Sequence, residues 1–102
     1  MNDSNFFEDL LNTPDHWFSK EIGRVNSNIV NVRVMVDMET EFHTHNKSDE
    51  FFMVLEGKLE IDIEEKTIML QKGETYTVTS GSRHRARVFG TTKLISIISE
   101  NA

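Results

Sequence analysis

The sequence has no cysteine, and only one proline, one tryptophan and one tyrosine. Without cysteine there can be no disulfide, no thiolate metal site and no thiol nucleophile. No apolar run approaches the roughly 20 residues that span a bilayer, so no membrane contact is expected. Basic side chains are also few, 11 Lys and Arg against 17 Asp and Glu, for a net charge of -6. A nucleic-acid surface clusters Lys and Arg to displace counterions along phosphates, and this balance argues against one. The opening residues, MNDSNFFEDLLN, are acidic and lack the charged-then-apolar layout of a secretory signal, so the expected location is cytoplasmic. No repeat, low-complexity tract or linker breaks the 102 residues, and that length suggests one domain.

Residues 1–16 read as a helical or irregular segment. Ser4 is the expected N-cap of a short helix, Phe7, Leu10 and Leu11 share a face at helical spacing, and Pro14 helps to end it. From Trp17 the period changes. In Ile29 to Val36 the residues Val30, Val32, Val34 and Val36 alternate, as on a half-buried strand. Asn26-Ser27-Asn28 reads as the turn joining it to a partner strand, Phe18 to Val25. The second half carries turn residues every ten positions or so. Strands are expected at Phe51 to Leu55, Leu59 to Ile63, Thr67 to Leu70 and Thr75 to Thr79. Two more are expected at His84 to Phe89 and Lys93 to Ser99, with Gly90-Thr91-Thr92 as a turn between them. About eight strands with no helix between them predict an all-β, antiparallel sandwich or barrel over residues 17–102.

Four histidines are present, His16, His43, His45 and His84. His43 and His45, placed in or at the end of a strand, are two apart and therefore share a face. Glu50 opens the next strand and can return to the same rim, and His84 starts a later one. Two or three imidazoles plus one carboxylate suit zinc, iron(II), manganese, nickel or copper(II), and leave coordination positions open. His-x-His alone is a weak signal, since surface strands often alternate polar residues. Converging buried imidazoles and an unpaired carboxylate are costly, and a divalent cation relieves both.

The glycines add register. His43-x-His45-x4-Glu50-x6-Gly57 resembles the first motif of the cupin superfamily, and Gly73-x7-Gly81-x2-His84 resembles the second. Asp37 stands where the first motif usually opens with glycine, and Thr79 and Val88 stand where the second usually has proline and asparagine. The resemblance covers about Asp37 to Val88. It implies an antiparallel double-sheet jelly-roll barrel of small single-domain type, often dimeric, holding one divalent metal ion on His43, His45, Glu50 and His84.

The residues sharing the ligand side by alternation, Phe52, Val54, Tyr76, Val78 and Ala86, are the expected pocket, with Arg83 at its mouth. Arg83, Arg85 and Arg87 read as a solvated basic face more than as an anion site. His16 lies outside the register and reads as a surface residue. Phe51, Met53 and Leu55 form a second apolar face, expected either under Phe6, Phe7 and Trp17 or in a homodimer interface. The resemblance implies a metal-dependent enzyme acting on a small polar molecule, isomerase-like or dioxygenase-like. The alternative is a non-catalytic barrel of sensor or accessory type that binds a small ligand. Regulatory members of the superfamily usually carry a DNA-binding helical domain, for which this length leaves no room. Glu50 is the one candidate catalytic carboxylate, and it cannot be both a tight ligand and a free general base.

Overall fold

The computed structural model describes residues 5–102. A single helical turn, α1 (Phe6–Asp9), precedes seven strands. These are β1 (Trp17–Val25), β2 (Asn28–Glu39), β3 (Glu50–Glu56), β4 (Lys58–Ile63), β5 (Lys66–Gln71), β6 (Thr75–Val78) and β7 (His84–Ser99). All the pairings between them are antiparallel. One layer runs β1-β2-β7-β3-β6, while β4 pairs with β5 and with β7. The result is a jelly roll of two sheets sharing β7. Among the described residues no helix is long and apolar enough to cross a membrane.

The segment before β1 differs from expectation. Ser4 lies outside the described residues, and the side chain of Asn5 caps α1 by accepting from the Glu8 amide. Phe7 and Leu11 are 78% and 74% exposed, so the Phe7-Leu10-Leu11 face buries little. The anchor is polar instead: buried Asp9 meets Lys20 Nζ on β1 at 3.2 Å. One turn is too short to hold an apolar stripe against a sheet.

Seven strands form, where about eight were expected, because Gly90-Thr91-Thr92 is no turn. β7 runs through it for 16 residues. Val36 faces Thr91 and Met38 faces Val88, so Phe89 and Gly90 together oppose the single residue Asp37. This is a β-bulge, with Gly90 at φ 72° and its N–H donating to Asp37 Oδ1 at 2.6 Å. A bulge bends a strand and raises its twist. It lets His84 to Arg87 pair with β4 while Lys93 to Ile98 pair with β3.

The core lies between the sheets: Met35, Phe52, Val54, Leu59, Ile61, Ile63, Leu70, Val78, Ala86, Val88 and Leu94 form one buried cluster. Each of the larger aliphatics contributes roughly 1.5–3 kcal/mol relative to exposure. β4 follows its sequence pattern, with Leu59, Ile61 and Ile63 buried between less buried Glu60 and Asp62. β2 does not follow a one-faced pattern. Val32 and Val34 are buried on one side and Met35 on the other, so the strand is covered on both faces. β3 reads the same way, with buried Glu50, Phe52 and Val54 alternating with half-buried Phe51, Met53 and Leu55.

Gly57 joins β3 to β4 at φ 82°, and a Cβ there would stand 2.3 Å from the Thr91 carbonyl oxygen. Only glycine fits that conformation and that approach. Next to it, buried Thr92 accepts from the Lys58 N–H and donates to the Lys58 carbonyl, tying the hairpin to β7.

Candidate metal centre

The structure brings His43, His45, Glu50 and His84 together at one end of the space between the sheets. One ligand atom from each lies within 4.8 Å of all the others. Glu50 opens β3 and His84 opens β7. His43 and His45 stand beyond the end of β2, in a segment held by backbone. The His43 N–H donates to the His84 carbonyl and the His84 N–H to that of His43, both at 2.9 Å. The Gly81 N–H donates to the His45 carbonyl at 2.8 Å, and the Ser80 N–H to Asp49 Oδ1 at 2.8 Å. The two motif loops are therefore stapled across the site, and the rings lie 4.4–5.6 Å apart by centroid.

The second nitrogens of two rings fix the tautomers. His43 Nδ1 lies 2.8 Å from the Glu41 carbonyl, and His84 Nδ1 lies 2.9 Å from the Ser82 carbonyl. A carbonyl only accepts, so each Nδ1 carries the proton and each Nε2 presents a lone pair. This is the outer-shell arrangement that orients metal-bound histidines. Among the described residues buried His84 Nε2 has no hydrogen-bond partner, and it sits 3.6 Å from Glu50 Oε1. His45 Nε2 is 3.5 Å from that same oxygen. A lone pair facing a carboxylate needs a proton or a cation between them. Atoms bound to one cation at about 2.1 Å stand no further apart than roughly 4.2 Å, so the observed spread fits a shared ion after a small closure.

Charge is balanced around Glu50, which is only 4% exposed. Burial alone raises a carboxyl pKa, but the facing His84 imidazole, the Ser96 hydrogen bond and the charge of Arg33 outweigh it and hold Glu50 at about 2. Ser96 Oγ is 2.7 Å and Arg33 Nη1 3.4 Å from Glu50 Oε2. His45 is pushed down, chiefly by burial. For His84 burial also acts downward, but Glu50 and the Ser82 carbonyl prevail and raise it.

The four side chains open into a cavity of about 220 Å³, also lined by Trp17, Arg33, Met35, Thr40, Phe52, Ile61, Ala86 and Ile98. Of the residues placed there by alternation, Phe52 and Ala86 are on its wall. Val54 and Val78 are packed in the core, and half-buried Tyr76 leans against that core. Val54 sits one pleat further from the ligand end than Phe52, opposite Leu94, which closes the space. Arg83 is not at the mouth: it is exposed, with its guanidinium 4.3 Å over the Phe42 ring. Arg85 and Arg87 bind Asp62 on β4, Nε to Oδ2 at 2.8 and 2.6 Å, as a balanced outer face. His16 is exposed, its Nδ1 donating to the Val36 carbonyl at 2.9 Å. Sequence reasoning missed Trp17, Arg33, Met35, Thr40, Ile61 and Ile98. The available signal was Arg33, a charge set between valines in a strand covered on both faces.

Comparison with known proteins agrees with this geometry. A relative from Bacillus subtilis, the uncharacterized protein YdbB, is 38% identical over 69 residues, which span 67% of this chain and 60% of YdbB. A cupin-2 domain containing protein from Shewanella frigidimarina superposes with a TM-score of 0.86 at 27% identity, covering 97% of this chain and 96% of that one. KdgF from Halomonas sp. superposes at 0.74 with 16% identity, over 86% and 83% of the two chains, a likeness of fold. The family model described as Cupin domain matches residues 31–98, which takes in all four clustered side chains, and the chain belongs to the cupin superfamily.

Proposed function

We propose that His43, His45, Glu50 and His84 hold one divalent metal ion and that the chain is a metal-dependent enzyme acting on a small polar molecule. The observation that carries this reading is buried His84 Nε2, unpartnered and aimed at Glu50 Oε1. Zinc, iron, manganese and nickel all suit three imidazoles and one carboxylate. Bound there, the ion would supply Lewis acidity, with coordination positions open toward the cavity.

The chain's own residues define what the site does around that ion. Glu41 and Ser82 carbonyls fix two imidazoles with Nε2 inward. Ser96 and Arg33 keep Glu50 ionised and oriented. Met35, Phe52, Ile61 and Ile98 give the cavity an apolar wall. An isomerase-like or dioxygenase-like reaction fits such a site.

One observation favours the second reading, a non-catalytic small-ligand barrel. Among the described residues, Arg33 is the only ionisable residue on the cavity wall outside the four clustered side chains, and it offers no separate general base. Elemental analysis of protein purified without a metal-affinity tag decides between them. Stoichiometric iron favours oxygen chemistry, and zinc or manganese favours isomerase chemistry. Failure to load any metal overturns the enzyme reading and leaves the ligand-binding one.

The same reading includes a cytoplasmic homodimer joined through the half-buried Phe51, Met53 and Leu55 face of β3. A monomeric mass at micromolar concentration in solution would remove the dimer.

A further inference from the structure

We infer that Arg33 is a specificity-determining residue that recognises the carboxylate of a small organic acid bound beside the metal. The inference rests on the metal reading above. It starts from position: Arg33 lies mid-strand on β2, and its side chain is 19% exposed, directed into the cavity that His43, His45, Glu50 and His84 share. A charge in such a place requires partners.

The partners present are incomplete. Nη1 reaches Glu50 Oε2 at a long 3.4 Å, and Nε reaches Ser19 Oγ at 3.3 Å. Nη2 has no acceptor among the described residues. The Trp17 ring lies 5.3 Å from the guanidinium carbon, so one face of the fork is backed by an aromatic plane. That leaves Nη2 and the second Nη1 proton as a planar donor pair backed by the ring, which a carboxylate can take end-on.

Charge counting points the same way. With neutral imidazoles, Glu50 carries one negative charge and Arg33 one positive, and a divalent ion adds two. The loaded cavity then holds a surplus of two positive charges between apolar walls, and among the described residues no further acid lines it. An anionic ligand relieves that surplus, whereas a neutral one does not. At about 220 Å³ the cavity lies below the roughly 300–1,000 Å³ of drug-sized pockets, which favours a small acid over a nucleotide.

Trp17 is the only tryptophan and lines the cavity, so its fluorescence is a probe of binding there. The probes are three- to five-carbon 2-oxo and 2-hydroxy carboxylates, each paired with its own primary amide, plus inorganic phosphate. They are titrated into zinc-loaded wild type, Arg33→Gln and Arg33→Lys, with zinc content measured for each. Carboxylates are expected to bind wild type at least tenfold more tightly than their amides. With zinc added to saturation and its content confirmed, Arg33→Gln should lose that preference, and Arg33→Lys should restore part of it. Equal binding of acid and amide, an unchanged preference in Arg33→Gln, or phosphate outcompeting every carboxylate overturns the assignment. Zinc uptake without carboxylate preference overturns it alone, whereas a wild type that takes no zinc removes the charge surplus and overturns the metal reading with it.

Discussion

Ser96 donates a 2.7 Å hydrogen bond to Glu50 Oε2, with both side chains buried. Ser96 sits on the C-terminal half of β7 and Glu50 at the start of β3, so the bond spans the seam between neighbouring strands. It leaves Oε1 as the oxygen facing His45 and His84. Outer-shell partners of this kind orient a ligand without touching the ion. Ser96→Ala should therefore keep the fold and weaken zinc or manganese binding about 10- to 100-fold by titration calorimetry. Affinity within threefold of wild type would show that Arg33 alone fixes the carboxylate.

Removing the first pair of imidazoles should act more severely. His43→Ala with His45→Ala deletes two of four proposed donors while leaving the buried core intact. Metal content of the purified protein is expected to fall from stoichiometric to background, with circular dichroism unchanged. Full metal content in this double variant would contradict the assignment of the centre.

The four clustered residues were legible because their signal is local: short spacings, turn glycines and a carboxylate opening a strand. The cavity wall was not. Trp17, Met35, Ile61 and Ile98 come from four strands, and which face of each turns inward depends on pairing register, which alternation alone does not give. β7 shows the same limit. Gly90-Thr91-Thr92 carries turn residues, yet pairing with β2 on one side and β3 and β4 on the other keeps β7 a single strand through a bulge. Arg83 failed for a third reason: a nearby ring, Phe42, offers it a face outside the cavity.

Gly57 offers a test of the fold independent of metal. Its φ of 82° and the 2.3 Å approach of a Cβ to the Thr91 carbonyl make any side chain doubly unfavourable. Gly57→Ala should lose roughly 1–3 kcal/mol of unfolding free energy, read by urea denaturation of the metal-free protein. Gly73, whose Cβ would meet nothing within 4 Å at a similar φ of 83°, should lose less in the same substitution. Equal losses would show that backbone strain, and not the contact with β7, accounts for the effect.

Asp62 tests the outer face. Arg87 and Arg85 donate to it along with Thr67 Oγ1, and these bonds hold its carboxyl far below the usual range. A depressed folded pKa contributes stability above the unfolded value of about 4 and loses it as pH falls. Asp62→Asn should therefore destabilise by roughly 1–2 kcal/mol at pH 7. The gap to wild type should close as the pH drops below about 4. A gap that stays constant down to pH 2 would mean the charge is irrelevant there.

The metal-free and metal-loaded proteins should respond to pH with opposite slopes, and His84 is the reason. Without metal, Glu50 and the Ser82 carbonyl raise its pKa, so its contribution is complete below the unfolded value of about 6.5 and fades as pH rises through the raised one. His45 is depressed and acts in the opposite sense, so the variant His84→Gln is needed to isolate the His84 share. Glu50, held at about 2, adds stability above about 4.5 that is lost on acidification toward 2. In EDTA, the wild-type advantage over His84→Gln should shrink between pH 6 and 8. With zinc present the imidazoles must be neutral to bind, so metal-dependent stabilisation of wild type should grow across that same interval. Thermal melts in EDTA and in zinc, taken for both proteins every half unit of pH, give the two slopes directly. Parallel slopes would mean that proton and metal do not compete for His84 Nε2.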